Sequence, residues 1–61
     1  MEFSKAFIKL KQGKKIKINE AGNKVFYQID GNKLVMSDGI SVKDAIFTGE
    51  MLLDNRWIAE N

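Results

Sequence analysis

Lys14, Lys15, Lys17 and Lys24 crowd a short stretch followed by Phe26 and Tyr27, and Arg56 and Trp57 add planar groups near the end. Lysines attract phosphate oxygens, and aromatic or guanidinium planes stack on nucleobases, so the combination suits a nucleotide-like ligand. Asn19 and Asn23 lie among these lysines with amides that can hydrogen-bond a sugar or a base. The candidate ligand-binding set is Lys14, Lys15, Lys17, Asn19, Asn23, Lys24, Phe26, Tyr27 and Arg56. A competing use exists for the rings. A domain this small needs its large apolar groups inside, so Tyr27 and Trp57 compete for core positions, and Trp57 is assigned there. A Lys-rich surface nearly lacking Arg also serves solubility alone.

Catalysis has no comparable constellation. The chain has no His and no Cys, which removes imidazole bases, thiolate nucleophiles, disulfides and the usual zinc ligands. Each Asp and Glu falls in a turn, cap or terminus, where solvation keeps it ionised, and no carboxylate run has calcium-loop spacing. Ser4, Ser37, Ser41 and Thr48 sit in capping or turn contexts without a base beside them, and the five glycines stand singly. Glu50 is read as stabilising a helix N-terminus electrostatically. The expectation is a binding protein and not an enzyme, with no catalytic residue, metal or cofactor.

Charge is unevenly placed. Residues 1–24 carry seven Lys against Glu2 and Glu20, a balance of +5, whereas residues 25–61 carry three cations against six carboxylates, a balance of −3. Such a basic pole attracts phosphates of a nucleotide or a nucleic acid. With 61 residues and 44% hydrophobic residues, the chain cannot hide its apolar area alone. Lacking disulfides and metal ligands, it is expected to self-associate as a homodimer or higher oligomer. Met1 to Lys5 leads into no long apolar run, so neither a signal peptide nor a membrane span is expected, and the location is expected to be cytoplasmic.

The elements that must position these residues follow from periodicity. Phe3, Ala6, Phe7 and Leu10 form one helical stripe with Lys5, Lys9 and Lys11 turned away, predicting a helix over about residues 4–12. Ser4 is its expected N-cap, Gly13 its C′ residue, and Phe3 with Ile8 a hydrophobic staple. Lys15 to Ile18 then alternates with period two, and residues 19–23 read as a turn. Val25, Tyr27 and Ile29 predict one face of the next strand, with Phe26 and Gln28 opposite. Asp30-Gly31-Asn32 closes a hairpin onto Lys33 to Met36. Ser37-Asp38-Gly39 is a second turn, followed by short β segments at 40–42 and 45–47. Thr48 caps a helical turn whose apolar side is Met51, Leu52 and Leu53, and residues 56–59 form a last strand. The fold class is α+β in one domain, 1–61, with an N-terminal helix packed on a small antiparallel sheet and a short helical turn before the last strand. Since a helix covers one face only, Phe26 is expected on a second apolar face that serves as an interface.

Phe3-Ser4-Lys5-Ala6, Leu10-Lys11-Gln12-Gly13-Lys14-Lys15-Ile16 and the closing Met51-Leu52-Leu53-Asp54-Asn55-Arg56-Trp57-Ile58 resemble the phage-encoded Thoeris anti-defence 2 family. The resemblance implies a small α+β homo-oligomer that sequesters a cyclic nucleotide-derived immune signal, such as glycocyclic ADP-ribose, without degrading it, in the cytoplasm of an infected bacterium. Where the family has a Trp-Asn-Gly-like turn, this chain has Lys17 to Asn23, with Ala21 at the Trp position. A stacking ring would then have to be Phe26 or Tyr27. The alternative is a phage protein that inhibits a host or defence enzyme by direct binding through the Phe26 face or the acidic C-terminal half. A nucleic-acid partner ranks lower, because net charge is only +2 and Arg occurs once.

Overall fold

The computed structural model describes residues 1–60; Asn61, the last residue of the expected domain, lies outside them. Helix α1 spans Phe3–Lys11, followed by β1 (Lys15–Ile18), β2 (Phe26–Asp30), β3 (Lys33–Ser37), β4 (Val42–Asp44), helix α2 (Gly49–Leu53) and β5 (Trp57–Glu60). The strands form one antiparallel sheet in the order β4-β3-β2-β1-β5. The last strand thus returns beside the first, and α1 packs on β1, β2 and β5. This is the expected α+β architecture.

Helix α1 starts one residue earlier than its polar pattern suggests. Ser4 lies inside the helix; Glu2 is the N-cap, contributes no side-chain cap, and its carbonyl accepts from Lys5 and Ala6 N–H at 3.1 Å each. Packing overrides capping preference here. The Phe3 ring is held edge-on against Phe47 and Trp57 at 4.8 and 5.4 Å, which draws Phe3 into the first turn. For the same reason no Phe3–Ile8 staple forms: Phe3 stacks on Phe7 at 5.8 Å, and Ile8 is 52% exposed.

The C-terminus of α1 follows the expected chemistry. Gln12 is the C-cap and Gly13 the C′ residue at φ 89°, with Gly13 N–H donating to Leu10 and Lys14 N–H to Lys9. That is the Schellman pattern, which turns the chain out of the helix and into β1. A Cβ at Gly13 would meet nothing within 4 Å, so substitution acts through backbone strain alone. Gly13→Ala is expected to lower unfolding free energy by about 1–2 kcal/mol, read by urea denaturation. A loss below experimental error would refute the left-handed geometry.

The core contains Ala6, Leu10, Ile16 and Trp57, with Phe3, Ile18, Tyr27, Leu34, Phe47, Met51 and Ala59 packed around them. Trp57 lies among the rings of Phe3, Tyr27 and Phe47 and donates its indole N–H to the Met51 carbonyl at 2.9 Å. The hairpin joining β2 and β3 turns at Gly31-Asn32, with Gly31 at φ 66°, the first central position of a II′-type turn. Three expected elements are altered. The strand expected at 40–42 is shifted to Val42–Asp44, because Asp38 accepts the Ile40 and Ser41 N–H groups and holds the turn open to residue 41. Residues 45–47 are not a strand; after Ala45 N–H donates to Leu34 the chain leaves the sheet and carries Phe47 to the Tyr27 ring, 5.1 Å away. In α2, Thr48 accepts from Met51 N–H as expected, but one short turn directs only Met51 inward, leaving Leu52 and Leu53 47% and 88% exposed.

Candidate functional site

The register sorts the candidate residues between the two faces of the sheet. Ile16 pairs with Tyr27 and Ala59, Ile18 with Trp57, and Tyr27 with Met36, which defines the helix-covered face. The opposite face is crossed by two rows. One runs Ile58, Lys17, Phe26, Ser37 and Val42, and the next Glu60, Lys15, Gln28, Val35 and Asp44, using the Ile16–Tyr27 register to align β1 with β2. Phe26 is therefore on the uncovered face, as its alternation with Tyr27 predicts.

Lys15, Lys17 and Phe26 are brought together there. The Lys15 ammonium lies 4.5 Å from the Phe26 ring centroid, a cation–π arrangement that holds both groups half-buried. Lys17 donates through Nζ to the Asn23 carbonyl at 2.6 Å. Among the described residues, neither lysine is in an ion pair with a carboxylate. A cation without an acidic partner keeps its charge available to an anion.

The other candidates divide by role. Asn23 is committed to the loop between β1 and β2: its amide nitrogen donates to the Ile18 carbonyl at 2.8 Å and its amide oxygen accepts from Val25 N–H at 3.1 Å. Those bonds shape the turn at Gly22 and leave the side chain little for a ligand. Asn19 is exposed, and its N–H donates to the Arg56 carbonyl at 2.7 Å. Lys14 and Lys24 flank the strands just before β1 and β2. Tyr27 is on the covered face, packed against Phe47 and Trp57 with its hydroxyl toward the Met51 sulfur at 3.8 Å. Burial pushes its phenol pKa up. The core need for a large apolar group accounts for that placement, and Tyr27 is separated from the lysines by the sheet itself. The remaining basic residues of the N-terminal half also split: Lys5, Lys9 and Lys11 ride on α1, on the covered side. The basic pole of the sequence is thus two surfaces.

Arg56 is held by its neighbours. Its Nε and Nη2 donate to the two Asp54 carboxylate oxygens at 3.0 and 2.7 Å, and Nη1 lies 4.0 Å from Glu20. The side-chain and backbone hydrogen bonds from Arg56 hold the Asp54 carboxyl down at about 2, from an ordinary value of 3.8. Because the folded-state value is the lower one, the stabilisation from this pair is complete above pH ~4 and lost as pH falls through about 2. The stability difference between the protein and Asp54→Asn should therefore shrink across that acid window in pH-dependent urea melts. A difference that stays constant there removes the pair from the account.

Gln28 was not in the candidate set, yet it shares the Lys15 row. Strand alternation places it opposite Tyr27, and only the β1–β2 register sets it beside Lys15. Two hollows lie elsewhere. One, of about 140 Å³ and lined by Ser37, Asp38, Ser41 and Lys43 among others, is smaller than the roughly 300 Å³ at which ligand pockets begin. The other, about 440 Å³, runs between the start of α1 and the end of α2, with Glu2 and Asp54 carboxylates in its wall, which disfavour phosphate. None of the nine candidates lines either hollow. Among the described residues no cluster of carboxylates is placed to hold a metal ion, and no helix is long and apolar enough to cross a membrane. Compared with protein-family models, curated proteins and solved structures, the chain matches none.

Proposed function

We propose that this chain is a phage or prophage anti-defence sponge that binds a phosphate-bearing, cyclic nucleotide-type signal on the uncovered sheet face and holds it without cleaving it. The observation that carries this reading is the meeting of Lys15, Lys17 and Phe26 on one face, with neither ammonium group in an ion pair among the described residues, although Glu60 lies across the β1–β5 pair from Lys15. Lysines supply mobile positive charge for phosphate, and the Phe26 ring supplies a plane for a base. The resemblance in residues 3–16 and 51–58 supports the same class of ligand and a cytoplasmic site of action.

One face of a sheet does not enclose a ligand, and a nucleotide needs a second wall to be enclosed. Self-association over the Phe26 face supplies it in this reading, a contact distinct from any pairing at a sheet edge. Isothermal titration with cyclic ADP-ribose isomers and cyclic oligonucleotides tests the proposal, together with chromatography of the recovered ligand. Binding with intact ligand is the expected result; no heat at ~100 μM ligand, or a hydrolysed product, overturns it. A second reading, inhibition of a host or defence enzyme by direct contact, is favoured by aliphatic side chains left in solvent, Ile40 at 95% and Leu53 at 88% exposure. A stoichiometric protein captured from host lysate by the wild type, and lost with Leu53→Lys, supports that alternative.

A further inference from the structure

The least buried apolar residues of the sheet gather at one edge. Ile40, Val42 and Ile46 are 95%, 64% and 80% exposed, and they flank or belong to β4. This strand packs on β3 alone, and neither helix reaches it. One ladder of backbone groups is therefore open along an edge rich in aliphatic side chains, the feature that soluble proteins usually blunt.

Which groups face outward can be read from the ladder. Ala45 N–H donates to Leu34, so alternation along the strand turns Lys43 toward β3 and leaves the N–H and C=O of Val42 and Asp44 pointing away from it. We propose that β4 is a self-pairing edge at which a second copy of this chain adds antiparallel about a two-fold axis, joining two five-stranded sheets into one. This inference does not rest on the nucleotide reading.

The charges choose the register. A two-fold axis normal to the sheet keeps each side chain on its own face, so the axis must pass through a residue paired with itself. Centring on Lys43 sets two ammonium groups directly opposite, and centring on Asp44 does the same with two carboxylates, both destabilising. Centring on Val42 pairs Val42 with its copy and brings Lys43 and Asp44 opposite Ser41 and Ile40, residues of the Asp38 turn whose N–H groups stay with Asp38, so the backbone bonds across the axis are those of the Val42 pair. No like charges then meet. Val42 also becomes a hydrogen-bonded pair, exchanging two backbone bonds through groups that already point outward.

Sedimentation velocity over roughly 10–500 μM is the test, a range suited to a weak dimer. The wild type is expected to shift from monomer to dimer with concentration. Val42→Lys and Val42→Glu should each weaken that dimer by about tenfold or more through like-charge opposition, while an equimolar mixture of the two recovers dimer. Far-UV circular dichroism establishes that each variant is folded, and Val42→Thr serves as a neutral control that should still dimerise. A wild type monomeric throughout, charged variants that dimerise as the wild type does, or a mixture that fails to pair overturns the proposal. Loss of ligand binding with dimerisation intact bears on the nucleotide reading instead.

Discussion

Trp57→Ala is expected to cost about 3–5 kcal/mol, a large fraction of the stability available to so small a domain. The domain has 61 residues, and at roughly 0.05–0.15 kcal/mol per residue its whole stability is about 3–9 kcal/mol. Trp57 is fully buried and touches three rings, so the substitution empties a volume that a shell of large, rigid rings cannot refill. It also leaves the Met51 carbonyl without its indole donor. Trp57→Phe separates the two contributions: it retains much of the apolar volume and loses the hydrogen bond, with an expected cost of about 1–3 kcal/mol. Urea denaturation followed by circular dichroism reads both. A Trp57→Ala protein as stable as the wild type would mean that the sheet and α1 are held together by something other than this cluster.

The elements that periodicity dictates were legible in the sequence. The Phe3, Ala6, Phe7, Leu10 stripe and the Lys15 to Ile18 alternation became α1 and β1, and glycine, alone or beside Asn or Asp, placed the turns at Gly13, Gly22 and Gly31. What was not legible depends on contacts distant in sequence. Ser4 looks like a cap until the Phe47 and Trp57 rings pull Phe3 into the helix. Residues 45–47 look like a strand until the core claims Phe47. Leu52 and Leu53 look like a buried side until the helix proves too short to turn them inward.

The candidate site was legible in part for the same reason. Alternation sends Lys15, Lys17 and Phe26 to faces determined by Ile16 and Tyr27, and that needs only local pattern. Local pattern cannot say that Tyr27 serves the core, that both ends of the Asn23 amide are used by the loop, or that Asp54 occupies Arg56. A residue's type shows what it can bind, whereas its neighbours in space show what is left of that capacity.

Lys15→Glu is expected to weaken binding of a phosphate-bearing cyclic nucleotide by about 100-fold or more, because it removes a charge-assisted contact and opposes the phosphate with a carboxylate. The change should cost about 1 kcal/mol or less of stability, in part because it sets a carboxylate opposite Glu60 across the β1–β5 pair. Lys15 is half-buried on the uncovered face, and among the described residues its ammonium lies over the Phe26 ring at 4.5 Å, a cation–π interaction of about 0.5–1 kcal/mol. Lys15→Arg preserves both charge and stacking and should bind within a few-fold of the wild type. Lys17 is a poorer probe, since its Nζ holds the Asn23 carbonyl at 2.6 Å and its removal loosens the loop as well. Phe26→Leu keeps the face apolar but removes the stacking plane, and about a tenfold loss is expected if a base lies on it. Titration calorimetry at two ionic strengths completes the argument: wild-type affinity should fall with salt, and the salt dependence should be smaller in Lys15→Glu. Should Lys15→Glu bind a ligand as tightly as the wild type, the uncovered face is not the binding surface, whatever the ligand proves to be. Should Phe26→Leu alone lose binding while salt has no effect, the face recognises an apolar partner rather than a phosphate.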